Sequence, residues 1–220
     1  MYFNMSNLIR FIRRRWYLRV SIMIFMNIFL FIFVSFPNPV LFIEQLHRQS
    51  IGIDSMITTD NPIFVKFAEE AYKYNKKNPE MYIYKTIKEK RDCEIYGNIE
   101  YWAYPHETIE RGAGDCEDLS ILTSALYKYI KEKHGRAYEE KIIRQPLHFY
   151  VLKNDTIRNR TEIYGWKMPE KEFKRYLSPV GRLTAYINEL PPWRWFIYLS
   201  LTILMNYIYY IEIYSIGENG

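Results

Sequence analysis

The chain has little of the raw material from which most cofactor and metal sites are built. Two cysteines and four histidines stand among 220 residues. No set of them has metal-ligand spacing, so no metal is expected. Glycine is scarce, at nine residues, and no glycine-rich loop suits a nucleotide, so no cofactor is expected either. No internal repeat or low-complexity tract interrupts the middle of the chain. The net charge is +5, but much of that excess is gathered in Arg10, Arg13, Arg14, Arg15 and Arg19. No other basic stripe and no nucleic-acid motif accompany it, which excludes nucleic acid as the expected partner.

What the chain does have is aromatic and apolar residues in long runs. Val20 to Phe36 is interrupted only by Ser and Asn, which approaches the length needed to cross a bilayer core. Trp16 and Tyr17 add an interfacial turn. The pattern predicts a basic tail over 1–15 and a membrane helix over 16–36. A cleaved signal peptide is the alternative, but the run is long for one and Pro37-Asn38-Pro39 offers no small-x-small cleavage site. A second apolar run predicts another membrane helix over 193–213, after Pro191-Pro192 and before a tail at 214–220. Its tyrosines, Asn206 and Glu212 leave open a helix lying on the bilayer instead. Five arginines before the first run and no Lys or Arg after the second predict a two-span cell-membrane protein. Its N-terminus is then cytoplasmic, its central domain extracytoplasmic, and its partner the lipid bilayer. Nothing in the sequence marks an oligomeric state.

Between the runs, residues 37–60 read as a linker and 61–190 as the domain. Asn61-Pro62 opens a helix with a cap residue and then proline, and Phe64, Phe67, Ala68, Ala71 and Tyr72 recur at helical spacing. Asn78-Pro79 repeats the start signal. Asp92 to Glu110 reads as loop, and a further helix is predicted from Cys116 to about Lys131. Short β-type runs follow at Ile142-Ile143, His148–Leu152 and Thr161–Trp166, with a turn signal at Asn154-Asp155. Helices first and antiparallel strands afterwards predict an α+β domain, helices packed on a small antiparallel sheet. The tripeptides beginning at Asn154 and Asn159 are glycosylation sequons, usable only if this region lies outside the cell.

The densest chemical signal is Gly112-Ala113-Gly114-Asp115-Cys116-Glu117-Asp118-Leu119. Asp115 fits an N-cap and Asp118 the acidic place of a capping box. Leu119, Leu122, Leu126 and Tyr129 make a stripe that buries the helix. Cys116 then falls at the first helical position, where free N–H groups and the helix dipole favour thiolate. The acids around it act in the other direction, raising the thiol pKa unless they point away. A histidine is needed to pair with the thiol. His47 adjoins the first apolar run, His134 lies in a Lys/Glu-rich segment that reads as solvated, and His106 sits on a loop. His148, opening a strand, is the best base. The group orienting its imidazole is expected on the next strand, with Glu162 the first choice and Asp155 the second. A Cys93–Cys116 disulfide is a rival that would silence the thiol.

The run Glu107-Thr108 through Asp115-Cys116-Glu117-Asp118, with Ile99-Glu100-Tyr101 upstream and His148 about thirty residues on, resembles the signature of the transglutaminase-like superfamily. The resemblance covers about Phe64 to Trp166. It implies a papain-like core in which Cys116 is the nucleophile and His148 the general base, cleaving or transferring peptide or carboxamide groups of a protein or peptide substrate. Hydrolysis is favoured over crosslinking, and an oxyanion would be held by the Cys116 N–H and a donor in Tyr101–Tyr104. The family usually places Asp where this chain offers Glu162. That departure and the acids around Cys116 motivate the alternative, a catalytically weak or inactive fold serving as a membrane-anchored binding or scaffold domain.

Overall fold

The computed structural model describes residues 16–136, 139–145, 148–155, 160–164 and 190–215, with positions 178, 180, 181 and 184 besides. The chain divides into two compact units, one of residues 38–189 and one joining 1–37 to 190–220.

The second of these holds helix α1, Trp16–Ser35, and the C-terminal helix α8, Pro192–Ser215. The two pack through aromatic contacts, the Phe31 ring lying 6.1 Å from Trp195 and 5.6 Å from Tyr198. Asn27 and Asn206 satisfy their amides locally, each donating to the carbonyl four residues back at 2.7 Å. This removes most of the cost of a polar side chain in an apolar helix. Among the described residues only Tyr17–Ser35 is long and apolar enough to cross a membrane. The expectation of a second membrane helix at 193–213 is therefore corrected. The helix forms over this range, but a second span is not shown among the described residues.

The 38–189 unit begins earlier than the sequence suggested. The presumed linker contains α2, Pro39–Ile51, capped by Asn38, whose side chain accepts from the amides of Val40 and Leu41. A short 3-10 turn, Ile53–Met56, and α3, Pro62–Tyr74, follow. Asn61 caps α3 by accepting the Ile63 amide at 2.9 Å. The helix signalled at Asn78-Pro79 is one short element, α4, Met81–Thr86. Lys88–Glu89 forms β1, and Asp92–Ile95 and Pro105–Arg111 form α5 and α6 within the stretch expected as loop. Ala113–Gly114 forms β2, parallel to β1, with Lys88 opposite Ala113 and Glu89 opposite Gly114.

Helix α7, Cys116–His134, is the spine of this unit. Ile121, Leu122, Ala125, Leu126, Tyr127 and Ile130 are all fully buried. They pack with Phe64, Phe67, Ala68 and Ala71 of α3, with Ile83 and Ile87, and with Val151. Each such large side chain contributes about 1.5–3 kcal/mol when withdrawn from water, so the leucine stripe accounts for much of the packing. Beyond α7 come β3 (Glu139–Gln145), β4 (His148–Asp155) and β5 (Arg160–Tyr164), ordered β3-β4-β5 and antiparallel. β4 and β3 lie against α7. The described part is mostly helical.

Candidate functional site

Cys116 owes its place to the two residues on either side of a tight entry. Gly112 ends α6 in the left-handed region at φ 62°, which costs glycine nothing. Gly114 lies so close to the next helix that a Cβ there would sit 2.7 Å from Asp118 Cβ and 3.0 Å from Thr108 Cγ2. Lys88 and Lys90 amides bind the carbonyls of Gly112 and Gly114 at 2.9 and 3.1 Å, fixing the approach. Asp115 then caps α7 by accepting the Asp118 amide. Cys116 is the first residue of the helix, as the capping pattern predicts. Cys93 and Cys116 both stand as thiols, so the disulfide rival is not formed.

Asp118 does not complete a capping box. Its carboxylate, fully buried, accepts the Ala103 amide at 2.7 Å and the Tyr96 hydroxyl at 3.0 Å. The side chain of aspartate is too short to return to its own cap and serves the neighbouring segment instead. That segment, Tyr101–Tyr104, is pinned entirely by side chains. The Tyr101 amide donates to Asp92 Oδ2, Trp102 to Gln45 Oε1 at 2.8 Å, Ala103 to Asp118, and Tyr104 to Glu107 Oε2 at 2.8 Å. Four elements, α5, α2, α7 and α6, thus hold one extended stretch. The expected oxyanion donor in Tyr101–Tyr104 is corrected as far as the backbone goes, because all four amides already have acceptors.

Arg48 of α2 closes the arrangement. Its guanidinium donates to the Trp102 carbonyl at 2.6 Å and to both oxygens of Glu107 at 2.6 and 2.9 Å. It lies 4.5 Å over the Tyr101 ring and 4.7 Å over the Tyr104 ring. Burial pulls the Glu107 carboxyl up, but the Arg48 and Tyr104 hydrogen bonds outweigh it and hold the group below its usual range.

The acids around the thiol do not point away. Cys116 Sγ donates to Glu117 Oε2 at 2.9 Å. Burial, and then the Glu100 charge, push Glu117 up to about 8. Burial pushes Asp118 up to about 7, against the hydrogen bonds it accepts. Asp92 is pushed up to about 10 by burial and by Glu117, Asp118 and Glu100. Burial, followed by the charge of Glu117, holds Asp115 well above the ordinary range. Sequence spacing gave no metal set, yet Asp92, Asp115 and Asp118 each bring a ligand oxygen within 4.8 Å of the others, and Asp115, Cys116 and Glu117 converge in the same way. Carboxylate oxygens suit a hard cation, although both Asp118 oxygens are already engaged by donors.

His148, the expected base, lies on β4. His148 is its first residue, paired in register with Gln145, and β4 lies along α7. The backbone register places the two expected third members as follows. Glu162 pairs with Lys153, five residues beyond His148, about 17 Å along the strand at ~3.4 Å per residue. Asp155 pairs with Arg160 and closes the far end of β4, in the strand rather than in a turn. Of the other histidines, His134 stacks on Tyr72 at 4.0 Å and lies 3.5 Å from Glu69, a packed position rather than a solvated one. His106 falls on α6, stacked on Tyr104 at 5.9 Å.

Residues 52–144 match a family described as a transglutaminase-like domain. The match takes in Cys116 and its entry turn, supports the superfamily, and ends before His148. No curated protein and no solved structure matches the chain significantly.

Proposed function

We propose that the chain is a membrane-tethered cysteine hydrolase or acyltransferase of transglutaminase-like type, with Cys116 as nucleophile and His148 as general base. The observation that carries this reading is the position of Cys116 as the first residue of α7, a helix that packs along the strand His148 opens. A helix start favours thiolate through its free N–H groups and dipole. The thiolate attacks a peptide or carboxamide carbonyl, expelling the amine, which takes its proton from the His148 imidazolium. Water or a second amine then releases the acyl group. The Cys116 N–H remains the donor for the oxyanion. Glu162, and after it Asp155, stay the acids proposed to act on the imidazole, although strand pairing supports neither, so the dyad is the core of the proposal. The apolar helix Tyr17–Ser35 supports a tether near the N-terminus, and the basic cluster ahead of it supports an extracytoplasmic domain.

The second reading, a papain-like fold retained as an anchored binding or scaffold domain, is favoured by one contact. A thiol that donates to a carboxylate is protonated, and a like charge beside it opposes ionisation. Alkylation of Cys116 by iodoacetamide across pH separates the two. Rapid labelling near neutral pH that is lost in His148→Ala supports the enzyme. Labelling no faster than that of an ordinary thiol, and indifferent to His148→Ala, supports the scaffold.

A further inference from the structure

Helix α2 is built inside out. Its inward arc carries Leu41, packed against Tyr96, Tyr101 and Ala103, and the polar Gln45 and Arg48, only 2% and 6% exposed. Both polar side chains are committed to the Trp102 backbone and, for Arg48, to Glu107. Its outward arc carries Val40, Ile43, Leu46 and Ile51, which are 62%, 66%, 51% and 38% exposed. A helix on the surface of a water-soluble domain shows the reverse pattern, apolar inside and polar outside. Val40, Ile43 and Leu46 share this face at a spacing of three and Ile51 lies at its end, with the exposed His47 and Ser50 set among them.

The chain itself limits what can cover this stripe. Three residues, Phe36, Pro37 and Asn38, separate the end of α1 from the start of α2. That places the first turn of α2 within about 14 Å of the end of the apolar helix. The interfacial layer of a bilayer is roughly 5–7 Å deep on each side. Asn38, at the start of α2, is bound to the domain by a reciprocal pair, its amide donating to Asn98 Oδ1 and its carbonyl accepting from Asn98 Nδ2, both at 3.1 Å. The helix therefore cannot swing free of the domain without breaking that pair and the Gln45 and Arg48 contacts.

We infer that α2 lies in the plane of the membrane interface, with Val40, Ile43, Leu46 and Ile51 seated among lipid acyl chains and the domain held on its opposite, polar arc. Only an orientation parallel to the surface buries a stripe that extends along the full axis. This inference rests on the tether proposed above. The bilayer is thereby the partner of the same helix that, through Gln45 and Arg48, holds the Trp102 backbone.

The test uses the full chain, with Cys93→Ser and Cys116→Ser, reconstituted in phosphatidylcholine–phosphatidylglycerol vesicles. A nitroxide is attached in turn at Phe29→Cys, Ile43→Cys, Leu46→Cys and Gln49→Cys, and its accessibility to oxygen and to a water-soluble nickel chelate is read by electron paramagnetic resonance. The expected result is that the labels at 29, 43 and 46 favour oxygen several-fold while the label at 49 favours the chelate. Labels at 43 and 46 that favour the chelate while 29 favours oxygen would overturn this inference and leave the tether standing. A label at 29 that favours the chelate removes the tether and this inference together. Spin–spin broadening at 43 and 46 assigns the stripe to a second copy of the chain, and also overturns it.

Discussion

Arg48 and Glu107 meet as a two-pronged pair, Nη1 to Oε2 at 2.6 Å and Nη2 to Oε1 at 2.9 Å. The same guanidinium holds the Trp102 carbonyl. A planar fork is what permits three such bonds from one side chain. Arg48→Lys keeps the charge but cannot make the fork. It is expected to lose about 1–3 kcal/mol in urea unfolding, and Arg48→Ala about 3–5 kcal/mol, because Glu107 is then left without its cation. Equal stability of the lysine variant would show that only the charge matters.

The Cys116–Glu117 contact sets a second expectation. The two groups titrate as a pair, with the carboxylate opposing ionisation of the thiol. In Glu117→Gln the thiol loses its like-charged neighbour. The pH midpoint of Cys116 alkylation should fall by about one unit or more. A rise, with slower labelling at neutral pH, would instead make Glu117 a proton acceptor for the thiol.

The buried acids make stability depend on pH with a definite sign. Ordinary carboxyls titrate near 4, whereas Asp118, Glu117 and Asp92 are held up to about 7, 8 and 10 in the folded protein. The folded state therefore binds more protons than the unfolded state from about pH 4 upward, and stability falls as pH rises through the folded values. Thermal unfolding in a nonionic detergent should show a midpoint several degrees higher at about pH 5.5 than at about pH 8.5. If a divalent cation occupies the Asp92–Asp115–Asp118 group, chelator should enlarge that difference, and a midpoint higher at the alkaline end even with chelator would contradict the sign.

Gly114 offers a test of the entry turn. A methyl group there meets Asp118 Cβ at 2.7 Å, so Gly114→Ala must displace α7 or β2. The expected cost is about 1–3 kcal/mol, with a loss of Cys116 reactivity beyond what stability explains. Gly112→Ala, which strains only the left-handed end of α6, should cost about 1 kcal/mol and leave the reactivity closer to normal. Equal behaviour of the two variants would place the constraint elsewhere.

The local signals were readable where partners lie close in sequence. Asp115 before an apolar stripe at Leu122, Leu126 and Tyr129 marked the start and the buried face of α7, because capping and helical periodicity act over a few residues. Asn61-Pro62 marked α3 for the same reason. The helix at Pro39–Ile51 carries the same Asn-Pro signal, but four of its apolar residues face outward while Gln45 and Arg48 are buried, a pattern that helical periodicity does not single out. The pinning of Tyr101–Tyr104 was beyond reach, since Gln45 lies 57 residues from Trp102 and no spacing rule links them. The register that pairs Glu162 with Lys153 is set by the connection between the strands and not by composition.

The reciprocal Asn38–Asn98 bonds have a mechanical meaning. Load passed down the chain from the N-terminal helix enters the 38–189 unit at Asn38 and is taken up first at that seam, and next by Gln45 and Arg48 where they grip the Trp102 backbone. The aliphatic packing around Leu122 and Leu126 lies behind both. Tension on the N-terminal helix would thus reach Tyr101–Tyr104 before the core, so a pull strong enough to part the seam would disturb this stretch while the rest of the unit kept its fold.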